Sequence, residues 1–164
     1  MKATGVVRRL DDLGRLVIPK EIRKQYRLKE GDSIEFFIED DKIIIQKFDV
    51  LSRHMEEIEI MVETLEAMYQ NPVLFLQEEW LHKHHKEIHT NFYKSMHVHR
   101  ITKFKDERVF QHEDTRYQGI IFPIIAYGDW FGAFVMLFVK EEKSEVELQA
   151  MEAFCKLLTR QQEQ

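Results

Sequence analysis

The chain has 164 residues, 44% apolar and 32% charged, with a formal net charge of −5 and one cysteine. That composition supplies a buried core and excludes a disordered chain. A single thiol excludes an internal disulfide, and the longest apolar runs, 120–127 and 131–139, are too short to span a bilayer. The acidic total hides a segregation. Residues 1–29 hold nine Lys/Arg against three acids, a local charge of +6, whereas residues 30–48 carry −4 and residues 49–164 carry −7. A basic first segment on an acidic body is expected of a nucleic-acid reader with an appended domain. A solvated basic face is the other reading of the same charges. Residues 1–9 lack the apolar stretch of a secretion signal, and with the lone thiol this gives the expectation of a cytoplasmic protein.

In chain order, residues 4–10 read as a strand, Asp11-Asp12-Leu13-Gly14 as a turn and residues 15–18 as a second strand. Pro19 ends that strand and pre-sets the first turn of a helix over 19–26. Ile34, Phe36 and Ile38 alternate as in a strand, Asp40-Asp41 reverses the chain, and 42–48 is the partner strand. The order ββαββ fits in fewer than 50 residues, too few to bury a comfortable core alone. Two copies sharing one core is the economical answer, so dimerisation is expected to be part of folding.

From Leu51 the period changes. Met55, Ile58, Val62, Leu65 and Tyr69 recur at spacings of three and four, which predicts an amphipathic helix ending at Asn71-Pro72. Residues 73–76 read as a short strand and 78–93 as a helix. Strands are expected over 97–105 and 108–112, around a turn at Asp106-Glu107. The strongest strand pair is 117–127 and 130–140, turning at Gly128-Asp129. Ser144, with Glu147 at capping-box distance, starts a last helix with an apolar stripe of Val146, Met151, Phe154 and Leu158. The fold class is therefore α+β, in three parts: a domain over 1–50, a helix over 51–71 and a second domain over 72–164.

The run Asp12-Leu-Gly-Arg-Leu-Val-Ile-Pro-Lys-Glu-Ile-Arg23, with Met1-Lys-Ala-Thr-Gly5 before it and Lys42-Ile-Ile-Ile-Gln-Lys47 after it, resembles the AbrB/SpoVT-type family of DNA-binding regulators. The resemblance implies a swapped-hairpin β-barrel formed by an intertwined dimer, and duplex DNA as partner. It implies DNA contact through Arg8, Arg9, Arg15, Arg23 and Lys24. Arginine forks suit phosphate and guanine edges, although pairing with Asp11, Asp12 or Glu21 is a competing use for some of them. Pro123-Ile-Ile-Ala126, Gly128-Asp129, Gly132-Ala133 and the ending Arg160-Gln-Gln-Glu-Gln164 extend the resemblance to SpoVT-type members. It implies a GAF-like second domain flanked by helices, a tetramer built as a dimer of dimers, a role in developmental or sporulation control, and an unidentified small-molecule effector.

Other signals are weaker. His82, His85 and His89 would share one face of a helix, a geometry that could bind a transition metal, but Lys83 and Lys86 oppose a cation and no metal is expected. Cys155 reads as a buried thiol. Trp130, at a turn, is the aromatic best placed for exposure. No phosphate-binding glycine loop, nucleophile elbow or paired-carboxylate pattern stands out, so neither an enzyme nor a cofactor is expected. An alternative to the transcription regulator is the DNA-binding antitoxin of a toxin–antitoxin pair. Such antitoxins end in a disordered toxin-wrapping tail, whereas here residues 51–164 carry the pattern of a folded domain.

Overall fold

The computed structural model describes residues 4–48, 50–139 and 141–163. They form two compact units, one ending at residue 49 and the other starting at Val50.

In the first unit the strands expected over 4–10 and 15–18 do not form: residues 4–18 carry a turn but no ladder. A strand exists only against a partner edge, and these segments pair with none among the described residues. Pro19 precedes helix α1, Lys20–Gln25. The helix ends in a Schellman motif, with the Leu28 N–H donating to the Arg23 carbonyl and the Arg27 N–H to the Lys24 carbonyl. Arg27 takes the left-handed position between them, at φ 53°. Strands β1 (Ile34–Glu39) and β2 (Lys42–Lys47) form an antiparallel hairpin across Asp40-Asp41. Their apolar side chains lie open, with Phe36 65%, Ile43 72% and Ile38 84% exposed. Among the unit's described residues only Pro19 is buried.

The second unit has a core of its own. A short 3-10 helix, Val50–His54, leads into α2, Met55–Tyr69. Four residues of the expected stripe, Met55, Ile58, Val62 and Leu65, are what α2 buries, and the fifth, Tyr69, is half-buried against the same core. Strands β3 (Val73–Leu76), β4 (Thr102–Arg108), β5 (Arg116–Ala126) and β6 (Asp129–Leu137) make one antiparallel sheet in the order β3-β6-β5-β4. The β5–β6 turn is Tyr127-Gly128, both at positive φ as a two-residue type I′ turn needs, one residue earlier than expected. Helix α5, Gln149–Gln162, packs on β5 and β6, and α2 packs on β3 and against α5. Between them Phe75, Phe122, Phe134, Ile58, Leu65 and Met136 are buried without exposure.

Four expectations fail here for local reasons. The helix expected over 78–93 is two short ones, α3 (Glu78–Lys83) and α4 (Thr90–Ser95). Another Schellman motif ends α3: the Lys86 N–H donates to the Leu81 carbonyl and the His85 N–H to the His82 carbonyl, with His85 left-handed at φ 51°. The turn expected at Asp106-Glu107 is a bulge inside β4, where Asp106 at φ 56° absorbs an extra residue and the strand continues. Val146 is exposed because it lies in the turn before α5, and Cys155 takes a place in the buried stripe beside Met151 and Leu158. The Ser144–Glu147 box does form, with the Ser144 N–H and hydroxyl both donating to Glu147 Oε2 at 2.8 Å, but it brackets that turn and the helix begins at Gln149.

Candidate nucleic-acid interface

Arg8 and Arg9 precede the first turn of the chain, Arg15 closes it, and Arg23 and Lys24 occupy the last turn of α1. All five side chains are exposed. No ion pair holds Arg8, Arg9, Arg23 or Lys24 among the described residues. Arg8 Nη1 reaches only the carbonyl of Val7, at 3.0 Å.

Arg15 is different. Its Nε donates to Asp11 Oδ2 at 2.7 Å, while Asp11 Oδ1 accepts the backbone N–H of Leu13 at 3.0 Å and of Arg15 at 2.8 Å. The Asp11 N–H returns a bond to the Arg15 carbonyl at 3.1 Å, and Gly14, at φ 73°, gives the turn its left-handed step. The backbone N–H of Arg15 and then its guanidinium hold the Asp11 carboxyl below its ordinary pKa, with the Leu13 N–H assisting. The charge pattern marks the basic segment and the family resemblance implies the five positions within it, but Asp11 counts in the charge only as a subtraction. Its spacing ahead of Gly14-Arg15, an acceptor starting a tight turn, is the signal that marks it.

In the second unit a cleft of about 690 Å³ opens between α2, α3 and the 110–117 segment, lined among others by Glu59, Trp80, His84, Phe110, His112 and Tyr117. His84 Nε2 lies 2.8 Å from both Glu59 oxygens, and Lys83 Nζ lies 3.0 Å from one of them. Burial pulls the Glu59 carboxyl upward, but His84 and Lys83 outweigh it and leave the group below its ordinary value. The break in the 78–93 helix separates the candidate metal ligands. His82 sits in the last turn of α3, His85 in the left-handed position beyond it and His89 at the N-cap of α4, so they share no helical face. No group of three His, Cys, Asp or Glu among the described residues is placed to hold a metal ion. Trp130 is half-buried, its ring 4.1 Å from that of His97 and its Nε1 closed off from solvent. No helix among the described residues is long and apolar enough to cross a membrane.

Residues 7–47 match the family described as antidote-toxin recognition MazE, bacterial antitoxin. The transition state regulatory protein AbrB of Bacillus subtilis (strain 168) is 48% identical over 48 residues, which cover 29% of this chain and 50% of that protein. The solution structure of the N-domain of the transcription factor AbrB is 47% identical and covers 30% of this chain and 94% of its own, with a TM-score of 0.28. Stage V sporulation protein T of Bacillus subtilis (strain 168) is 32% identical over 178 residues, aligned over 100% of both chains. Identity at that level, end to end through both units, places the sequence: the chain belongs to the stage V sporulation protein T family.

Proposed function

We propose that the chain is a DNA-binding transcription regulator that contacts duplex DNA through Arg8, Arg9, Arg15, Arg23 and Lys24. The observation that carries this is a +6 segment whose arginines are exposed on a unit with almost no core of its own. Exposed guanidinium forks keep their charge and suit phosphate oxygens, with base edges read by a minority of them. The unit completes its core by pairing with a second copy, which covers Phe36, Ile38 and Ile43. The second unit is then a GAF-like regulatory domain in a cytoplasmic protein without catalytic activity. Ile60 and Met68 on α2 and Leu157 on α5 are exposed apolar residues that a further pairing, into a tetramer, would cover. The cleft beside Trp80 and His84 is the place for a small-molecule effector.

Fluorescence anisotropy of the full chain on a labelled duplex tests the reading. Affinity falls steeply with salt as counterions are released, and Arg15→Ala with Arg23→Ala weakens binding by about 1–3 kcal/mol for each base-reading contact removed. Unchanged binding by the double variant, with its circular dichroism intact, overturns the assignment. The match of residues 7–47 to a MazE antitoxin family supports a second reading, a DNA-binding antitoxin. The folded second unit, with its buried core, argues against a toxin-wrapping tail. A small toxin gene beside this one, whose product co-purifies with the chain, would favour the antitoxin.

A further inference from the structure

We propose that Asp11 is a positioning residue for DNA recognition. By holding Arg15 at Nε it presents the terminal Nη fork in one orientation, suited to the paired acceptors of a guanine edge, and it discourages loose contact with phosphate. The inference rests on the DNA reading above and deepens it.

Asp11 and Arg15 belong to one closed turn, so the anchor and the group it anchors move together. Asp11 Oδ1 and the backbone bonds shape the turn, and Asp11 Oδ2 takes one guanidinium N–H at 2.7 Å. Four guanidinium N–H groups, all on the Nη atoms, remain for a ligand. The Arg15 side chain is 71% exposed, and an ion pair that open to water adds little to folding stability. Its consequence is conformational. An arginine held by its Nε loses less freedom when it binds, which favours a bidentate partner of fixed geometry. The carboxylate also acts on the other side of the balance, because it repels phosphate and so weakens attachment to an arbitrary duplex. Among the proposed contacts Arg15 alone has such an anchor: no ion pair holds the other four among the described residues. The two effects together raise the ratio of specific to non-specific affinity rather than affinity itself.

Asp11→Asn separates the roles. The amide oxygen still accepts the Leu13 and Arg15 backbone N–H groups, while the amide nitrogen that replaces Oδ2 cannot accept from Nε. The full-length chain is titrated against two probes: a duplex enriched from a random-sequence pool by the wild type, and an unenriched duplex from the same pool. In Asp11→Asn the ratio of the two affinities falls by about tenfold, the scale of one bidentate base contact. Binding to the unenriched duplex is unchanged or tighter, with a steeper salt dependence. Arg15→Lys, which keeps the charge without the fork, lowers the ratio as well. In an Arg15→Ala background Asp11→Asn changes the ratio little. A wild-type ratio in Asp11→Asn, or an equal fall in the Arg15→Ala background, overturns the positioning role while leaving DNA binding intact. A wild type that retains and enriches no duplex from the pool overturns both.

Discussion

Gly119 in β5 is fixed by space. A Cβ there would lie 2.2 Å from the carbonyl oxygen of Met136 and 2.7 Å from Cζ of Phe104. The first is backbone locked in the β5–β6 ladder and cannot yield. Gly119→Ala is expected to lower the stability of the second unit by about 1–3 kcal/mol, the range for overpacking, read as an earlier urea midpoint with an unchanged slope. Cys155 makes a different residue-scale point. Its thiol donates to the Phe122 carbonyl at 3.4 Å, and burial pushes its pKa well up, so it stays protonated in the fold. A maleimide or aromatic disulfide probe is expected to leave native protein unlabelled at pH 8 and to label it in denaturant; rapid native labelling contradicts this. The sign for stability follows: the unfolded thiol ionises above about pH 8.5 while the folded one does not, so this contribution declines as pH rises beyond that point.

At the scale of elements, Glu59 ties α2 to α3 through His84 and Lys83. Its folded pKa is depressed, so its stabilising contribution is present above the unfolded carboxyl value of about 4.3 and is lost as pH falls through the folded one. Glu59→Gln is expected to flatten that part of the acid limb of a melting-temperature-against-pH curve; an unaltered limb refutes the linkage. His85 is the element-scale test of the α3 terminus. A side chain in the left-handed position is strained, and glycine there relieves the strain at an entropic cost, so His85→Gly is expected to be neutral to stabilising by up to about 1 kcal/mol in thermal unfolding. The same residue explains what sequence patterning misses. The α2 stripe, β3 and the β5–β6 pair are legible because apolar periodicity and a Gly-containing turn mark them directly. The end of α3 carries neither Gly nor Pro, so residues 78–93 look continuous. Asp106-Glu107 looks like a turn because nothing in a dipeptide separates a bulge from a reversal. The arms around Asp11-Gly14 look like strands because they have strand composition, yet a strand also needs a partner edge, which composition does not reveal. The basic segment is legible because nine Lys/Arg crowd into residues 1–29, and the five positions within it follow only from the family resemblance. The Asp11 anchor is not, because a charge count treats an acid among bases as dilution.

For the whole molecule the contrast is between a unit built around Phe75, Phe122 and Phe134 and one whose only buried described residue is Pro19. Light scattering on the full chain is expected to give about four times its 19.8 kDa mass. A truncation after Phe48 is expected to give a dimer with weaker DNA affinity, since it loses the second pair of DNA contacts on one particle. A full-length dimer at micromolar concentration removes the tetramer. The open faces of Phe36, Ile38 and Ile43 also bear on dosage. Under the proposed pairing, a reader that acquires its interior only on meeting its twin would have no folded single-copy form to bind DNA weakly in advance. Occupancy of a target would then climb with at least the square of the amount of chain made, so that a modest change in synthesis would cross a threshold. A mixed pair with an inactive copy would silence its sound partner as well.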